Sequence, residues 1–179
     1  VFTLHWAMRL AEHLQTVAIC LSDQTLGQSR AICDPPQAFS GDLNRVLAEP
    51  GPGGPSYLRY ALTADGVSPM AIPGTPGCMY TADGLEHSRA GTPSSLAADH
   101  AAQLDKRAAK IAGFDFGPDW GEVTGAGPNC LVTWGSATGP CREAAARLTG
   151  AGYPTRVVAL RLIAPLPGKA LAEALNGAE

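Results

Sequence analysis

The sequence predicts an α/β protein, because short apolar runs alternate with helical patterns toward its carboxyl end. Residues 130–134 and 157–160 are short and apolar, as buried strands are. Between them lies a helical pattern that includes Cys141 and Leu148, and a further helix is predicted through Leu175. A strand, a helix, a strand and a helix in close succession are typical of a βαβ unit with a right-handed crossover.

A second helix–strand step is predicted at the amino end. Apolar residues recur at helical spacing over residues 1–14. The apolar run of residues 16–21 follows at once and predicts a strand of a parallel sheet, covered on both faces. Asp23 and Gln24 come directly after this run, at the end of a strand where open α/β sheets place ligands and interfaces.

The middle of the chain, residues 57–116, is rich in glycine and proline and has little strand periodicity. Pro69, Pro73, Gly74 and Gly77 are expected to set a fixed turn rather than to contact a substrate. Another proline- and glycine-rich stretch, residues 49–55, predicts a turn or a flexible loop. The composition of residues 57–116 is more typical of a connector between domains than of a self-contained fold.

One helix is predicted inside this region, over residues 94–112, with Thr92-Pro93 as its start signal. Lys106 and Arg107 are interpreted as part of its solvated face, with an interdomain salt bridge as the alternative. The residues expected on the buried face are Leu96, Leu104, Ala108 and Ile111, and those expected to point outward are Asp105, Lys106 and Lys110.

Composition excludes several classes of function. The chain has 179 residues, of which 45% are apolar and 16% charged, so it can bury a core. A net charge of −3 leaves no basic surface typical of nucleic-acid binding. The sequence also lacks the run of about 18 apolar residues that would predict a membrane span. The start at Val1, inside a helix-like stretch without a signal-peptide pattern, suggests a truncated reading frame.

Local motifs of catalysis and metal binding are lacking in the sequence. The five cysteines are scattered without a CxxC pair, which favours structural roles and a cytosolic compartment. The segment 150–152 lacks the third glycine of a dinucleotide fingerprint, and Ser136 has the wrong spacing for a nucleophile elbow. We expect Ser136 to cap the helix that follows it. His5 and His13 are too far apart on their helix for a local metal pair.

An ordered set of unusual strings is more specific than any of these motifs. In this order and spacing the strings resemble the alpha subunit of 2-oxoacid:ferredoxin oxidoreductases of the 2-oxoglutarate type, over nearly the whole chain. The strings are Leu21-Ser22-Asp23-Gln24, Tyr57-x-Arg59-Tyr60, Asp65-Gly66-Val67-Ser68-Pro69, Ile72-Pro73-Gly74-Thr75-Pro76-Gly77, Gly84-Leu85-Glu86-His87 and Val132-Thr133-Trp134-Gly135-Ser136.

This resemblance implies three parts. Residues 1–60 would be the end of a thiamine pyrimidine-binding domain with a parallel sheet. Residues 61–118 would be a proline- and glycine-rich connector with one helix. Residues 119–179 would be a truncated transketolase C-terminal-like domain, since two strands make a poor isolated sheet.

The resemblance also implies an activity. It is the oxidative decarboxylation of a 2-oxoacid with coenzyme A, giving an acyl-CoA and reduced ferredoxin, in a cytoplasmic complex. Thiamine diphosphate and magnesium would lie at the complex interface, with an iron–sulfur cluster in the beta subunit and a gamma subunit or domain as a further partner. No catalytic, cofactor-binding or metal-binding residue is assigned to this fragment, and none of these cofactors is expected to be held by it alone.

Four residues are candidates for the subunit interface. One interpretation is that Asp23 and Gln24 face it near the cofactor, but the favoured interpretation of Asp23 is that it caps a following turn or short helix. Glu86 and His87 are adjacent in sequence, and neighbours rarely face the same way. The favoured interpretation is therefore that they pin a loop by hydrogen bonds or contact the neighbouring subunit.

Other functions remain open at the level of the sequence. One is a related thiamine enzyme, such as a transketolase or the beta-type subunit of a 2-oxoacid dehydrogenase. Another is a non-catalytic interaction module that holds a partner.

Overall fold

A computed structural model describes residues 1–35, 45–49 and 57–179 of the chain. These residues form two compact units. The first unit comprises Val1–Ile19 and Ala38–Phe114, and the second comprises Cys20–Gln37 and Asp115–Glu179. Of the loop predicted over residues 49–55, all but Glu49 lies outside the described residues.

The described residues of the first unit contain two helices, α1 (Phe2–Leu14) and α3 (Ala97–Ala112). Helix α1 ends at Gln15, whose backbone is left-handed (φ 46°). The ammonium group of Lys110 donates to the carbonyl of Gln15 at 3.2 Å. This places a positive charge at the negative end of the α1 dipole, where it is stabilising.

Both helices were predicted, but in neither are the apolar residues at helical spacing the most buried ones. In α1 the buried residues are Trp6 and Leu14. Leu4 and Met8, two of its periodic apolar residues, are 59% and 48% exposed. Helical periodicity shows which residues share a face, but whether a neighbour covers that face depends on the tertiary structure.

The buried face predicted for α3 was wrong, although Asp105 is exposed as expected. Leu96 and Leu104 are exposed, whereas Gln103 and Lys110 are buried. Lys106, expected to point outward, donates to the hydroxyl of Ser68. The reason is that α3 packs on an irregular loop, where Gln103 donates to the carbonyl of Tyr60 and Lys106 to the hydroxyl of Ser68, and such acceptors suit long polar side chains better than leucines.

The close approach of α3 to this loop depends on Gly66, which has a left-handed backbone (φ 74°). A Cβ atom at Gly66 would lie 2.6 Å from the Cβ atom of Lys110. No substituent larger than hydrogen fits there without displacing the helix.

The predicted fixed turn is confirmed for Pro73, Gly74 and Gly77 as two successive turns of the Pro-Gly type, and Pro69 lies outside these turns. Thr75 N donates to the carbonyl of Ile72 at 2.9 Å, and Cys78 N donates to the carbonyl of Thr75 at 3.2 Å. The two central glycines, Gly74 and Gly77, have φ of 94° and 73°. Proline followed by a left-handed glycine is typical of a type II turn.

The second unit is built on a mixed three-stranded sheet with the order β1–β3–β2. The central strand β3 pairs with β2 in parallel and with β1 antiparallel. The central strand carries the core, since Val157 and Val158 are 2% and 0% exposed. The elements are α2 (Gln24–Gln28), β1 (Gly121–Gly125), β2 (Asn129–Trp134), α4 (Thr138–Gly150), β3 (Thr155–Leu160) and α5 (Gly168–Leu175).

The predicted βαβ unit is confirmed as β2, α4 and β3, with α5 after it. Strand β1 was not predicted, because Val123 is the only large apolar residue of its five. Val123 lies opposite Val158 in the antiparallel register.

The strand predicted over residues 16–21 is not formed. Val17, Ile19 and Leu21 are 81%, 79% and 77% exposed. Among the described residues no strand pairs with this run, so a second parallel sheet is not found there either. An apolar run becomes a strand only beside a neighbour that accepts and donates its backbone hydrogen bonds.

No helix in the part of the chain that the structure describes is both long and apolar enough to cross a bilayer.

Candidate functional site

Asp23 lies at the start of α2, and its carboxylate joins two distant parts of the second unit. Its Oδ1 atom accepts from Leu26 N at 2.8 Å, which caps the helix. Its Oδ2 atom accepts from the hydroxyl of Ser136, 113 residues away in sequence. The bond from Leu26 N, and then that from the Ser136 hydroxyl, lower the pKa of Asp23. The capping role that the sequence allowed for Asp23 is therefore confirmed.

The partner of Asp23 lies at the carboxyl end of β2. Gly135 has a left-handed backbone (φ 61°) and begins a short 3-10 turn, Gly135–Ala137, that leads into α4. Ser136 was expected to cap this helix, but its hydroxyl donates to Asp23 instead, and α4 has no side-chain cap. Because Asp23 and Ser136 are so far apart in sequence, no local pattern could have predicted this pair.

The Asp23–Ser136 pair can be tested by amide hydrogen exchange at Leu26 and Ser136, whose N–H groups both point at Asp23. Asp23→Ala is expected to speed exchange at both positions, because both lose their acceptor. Asp23→Asn is expected to keep the protection of Leu26, since asparagine is an equally good helix cap.

Ser136→Ala serves as the matched control, since it leaves the α2 cap intact. In the Asp23→Ala background it should add no further change, because the interaction it removes is already lost. Unchanged exchange at Leu26 in Asp23→Ala would contradict the capping role. Gln24, the other candidate at this position, is an exposed residue in the first turn of α2.

Glu86 lies in the first unit and forms a charged cluster with α3. Its carboxylate accepts from both terminal nitrogens of Arg107, at 3.2 and 2.7 Å. His100 Nδ1 lies 3.0 Å from Glu86 Oε2. The Arg107 hydrogen bonds contribute most to lowering the pKa of Glu86, to about 2. Glu86 thus pins its loop to the helix, as the sequence interpretation favoured.

His87 points away from this cluster. It is buried, its ring lies 4.9 Å from that of Tyr60, and its Nε2 atom is 3.2 Å from Asp83 Oδ1. Glu86 and His87 therefore face different ways, which gives no support to an acid–base pair formed by the two.

Two lysines of α3 that were predicted to point outward are withdrawn from solvent, since Lys106 is half-buried and Lys110 is buried. Burial, and after it the nearby charges of Lys110 and Arg59, lower the pKa of Lys106 to about 8. Burial is also the main cause that lowers the pKa of Lys110. Sequence alone shows only lysines at helical spacing. Their hydrogen bonds are made to residues far earlier in the chain, Ser68 for Lys106 and Gln15 for Lys110.

A small cleft in the first unit has a volume of about 160 Å³. Its polar lining is formed by His13, Asp65 and Lys110, beside apolar residues such as Phe114. The Nδ1 atom of His13 is buried there without a hydrogen-bond partner. Cofactor-sized ligands generally occupy pockets of roughly 300–1,000 Å³, so this cleft is too small for one.

In the described ranges, no group of three or more histidine, cysteine, aspartate or glutamate residues could hold a metal ion. Cys20 and Cys33 are exposed, Cys78 is buried, and Cys130 and Cys141 are intermediate. These residues do not fit a resident magnesium ion or iron–sulfur cluster.

Comparison with known proteins relates the chain to one class of enzyme subunit. It is 29% identical over 184 residues to the 2-oxoacid:ferredoxin oxidoreductase subunit alpha of Saccharolobus solfataricus, covering 97% of this chain and 28% of that subunit. It is 31% identical over 165 residues to the 2-oxoglutarate oxidoreductase subunit KorA of Mycobacterium tuberculosis, covering 90% of this chain and 25% of KorA. No model of a protein family matches the sequence.

A solved structure is similar as well. It is the 2-oxoglutarate:ferredoxin oxidoreductase from Magnetococcus marinus with 2-oxoglutarate, coenzyme A and succinyl-CoA bound. The similarity has a TM-score of 0.63 at 34% identity and covers 76% of this chain and 24% of that one. The chain thus spans about a quarter of the length of these relatives. It is therefore homologous, over nearly its whole length, to part of the alpha subunit of 2-oxoacid:ferredoxin oxidoreductases, and the resemblance predicted from its sequence is confirmed.

Proposed function

We propose that the chain serves as part of the alpha subunit of a 2-oxoacid:ferredoxin oxidoreductase. The reaction is the oxidative decarboxylation of a 2-oxoacid with coenzyme A, which gives an acyl-CoA and reduces ferredoxin. The observation that carries this proposal is sequence identity of 29–31% through 90–97% of the chain with such alpha subunits. A shared fold at 34% identity supports it independently.

The cofactors of the reaction belong to the complex in this proposal. Thiamine diphosphate supplies the carbanion chemistry, with magnesium, at the interface with a beta subunit that also carries an iron–sulfur cluster. We assign no chemical step to the described residues of this chain, which also offer no metal-ligand set. Coenzyme A, ferredoxin and a gamma subunit or domain complete the complex, which we place in the cytoplasm.

This segment contributes architecture and contacts rather than reacting groups. Gln24 is exposed beside the Asp23 cap, so it is free to contact a neighbouring subunit. Asp23 holds that position through its bond to Ser136. Glu86 and His87 act indirectly, by fixing the loop that packs on α3 and on Tyr60.

The proposed activity is tested with a complete alpha subunit that contains this segment, co-expressed with its thiamine-binding beta subunit. The purified complex is expected to reduce a viologen dye only when a 2-oxoacid, coenzyme A and thiamine diphosphate are all present. The 179-residue chain alone is expected to be inactive and serves as the blank. A complex with full cofactor content that reduces no dye with 2-oxoglutarate, pyruvate or branched-chain 2-oxoacids would contradict the proposal.

A further inference from the structure

Three cationic side chains come together in the first unit, where α3 packs on the irregular loop before it. Lys106 and Lys110 lie one turn apart on α3, and Arg59 belongs to the loop. The guanidinium group of Arg59 donates to the carbonyl of Ser68 at 3.4 Å, and the ammonium group of Lys106 donates to the hydroxyl of the same residue. Ser68 is 3% exposed. Two of the cations therefore converge on one buried serine.

The partners of these cations are neutral. Lys106 donates to a hydroxyl and Lys110 to a backbone carbonyl. The guanidinium group of Arg59 lies 5.2 Å from the centre of the Tyr60 ring, and its Nε atom is buried without a hydrogen-bond acceptor. No carboxylate in the described part of the chain forms an ion pair with any of the three. Charges withdrawn from water are normally paired in proteins, so this group lacks a counter-ion.

The surrounding charges leave the group with an excess of positive charge. Asp65 is the carboxylate that acts on both lysines. On Lys106, burial and the neighbouring cations outweigh it and lower the pKa of the ammonium group to about 8. Arg107, the next residue of α3, is already paired with Glu86. Three cations beside one carboxylate leave two positive charges, which a dianion would balance.

We propose that Arg59, Lys106 and Lys110 form a binding site for a small, free, dianionic oxyanion of the phosphate or sulfate class. Arg59 and Lys106 are half-buried, which leaves part of each side chain open to solvent. A tetrahedral oxyanion has several acceptor oxygens, so it accepts from the ammonium group of Lys106 and the guanidinium group of Arg59 together. Lys110 is buried and bonded to the end of α1, so it contributes its charge rather than a contact. The site goes beyond the proposed function, because none of its residues is assigned a step of that reaction.

Sulfate is the probe, because it stays doubly charged through the pH range in which Lys106 titrates. The chain is titrated with sodium sulfate at an ionic strength held constant with chloride, and NMR follows the side chains of its three lysines, Lys106, Lys110 and Lys169. We expect saturable shifts at Lys106 and Lys110 and none at Lys169, which is exposed on α5. Equal shifts at Lys169, or shifts that chloride reproduces, would overturn the proposal.

The pH dependence of sulfate binding is a second readout. Affinity should fall about tenfold from about pH 7 to pH 9, since the anion binds the charged form of Lys106 and binding is thereby coupled to protonation. Lys106→Arg should bind sulfate with no such fall, because arginine stays charged throughout this range. An affinity that is independent of pH in the wild type, or the same fall in Lys106→Arg, would contradict the assignment of Lys106.

A neutral variant and its matched control give a third readout. Lys106→Gln should weaken sulfate binding at least about tenfold at pH 7, because it removes a charge that contacts the anion. Lys169→Gln also removes one lysine charge and should leave binding unchanged. In the complete alpha subunit, sulfate should raise the melting temperature of the wild type more than that of Lys106→Gln. An equal rise in the two proteins would count against the site.

Adenosine monophosphate is titrated in parallel, since a nucleotide carries the same phosphate chemistry as the free ion. Binding of sulfate that is at least as tight as that of the nucleotide is the expected result. Tighter binding of the nucleotide would overturn the assignment to a free oxyanion.

Discussion

Replacing Gly66 by alanine is expected to destabilise the first unit by about 3 kcal/mol. Two effects add at this position. The left-handed backbone costs a residue with a Cβ atom about 1 kcal/mol, and overpacking typically costs a further 1–3 kcal/mol. The new methyl group would meet Lys110 Cβ at 2.6 Å and the carbonyl of Lys106 at 3.0 Å, so α3 has to move.

Gly74→Ala is the matched control for this experiment. Gly74 has a similar left-handed backbone (φ 94°), but nothing lies within 4 Å of the position where its Cβ atom would be. Urea denaturation should therefore show a loss of only about 1 kcal/mol for Gly74→Ala, which reports the backbone term alone. Equal losses for the two variants would mean that α3 does not approach Gly66 as closely as the structure has it.

Replacing Glu86 by glutamine should remove a contribution to the stability of the first unit that is lost in acid. The folded protein holds the pKa of Glu86 at about 2, below its usual value of 4.5, chiefly through Arg107. A lowered pKa contributes stability that is fully present above pH 4.5 and is lost as the pH falls toward 2. Without screening by solvent, this shift of the Glu86 pKa would contribute about 3 kcal/mol to the stability of the folded protein. Because Arg107 and His100 are 51% and 60% exposed, screening by solvent reduces this to about 1–2 kcal/mol.

The measurement is the free energy of unfolding as a function of pH, from urea denaturation between about pH 2 and pH 7. The wild type should lose stability relative to Glu86→Gln as the pH falls from about 4.5 to 2, and the two curves should converge at the acid end. Glu143→Gln is the control, since the Glu143–Arg147 pair is 65% and 79% exposed and should contribute little. Parallel wild-type and Glu86→Gln curves would contradict the assigned cluster.

Local patterns predicted a good part of the secondary structure. Helices α1, α3, α4 and α5 and strands β2 and β3 were expected from apolar spacing and from proline and glycine positions. The two Pro-Gly turns were predicted for the same reason. Proline restricts the backbone angles and glycine permits left-handed ones, and both effects are independent of the surrounding structure.

Contacts between distant residues could not be predicted in this way. The Asp23–Ser136 bond joins residues 113 apart, and Glu86 binds Arg107 across 21 residues. Strand β1 was missed because its pairing with β3, rather than its composition, makes it a strand. The apolar run that was expected to be a strand, residues 16–21, failed for the opposite reason, since its composition fits a strand but no described neighbour pairs with it.

By itself, the sequence determined the order of the helices, the βαβ unit, the rigid turns and, through its ordered strings, the relation to alpha subunits of 2-oxoacid:ferredoxin oxidoreductases. These depend on backbone preferences and on residue order, which are properties of the chain itself. Only the tertiary structure decided that α3 buries Gln103 and Lys110 while leaving leucines in solvent. Periodicity groups residues on one face of a helix, but the surface that meets this face is supplied by residues far away in sequence. In this protein that surface presents two backbone carbonyls and one hydroxyl to Gln103, Lys106 and Lys110, which donate hydrogen bonds to them.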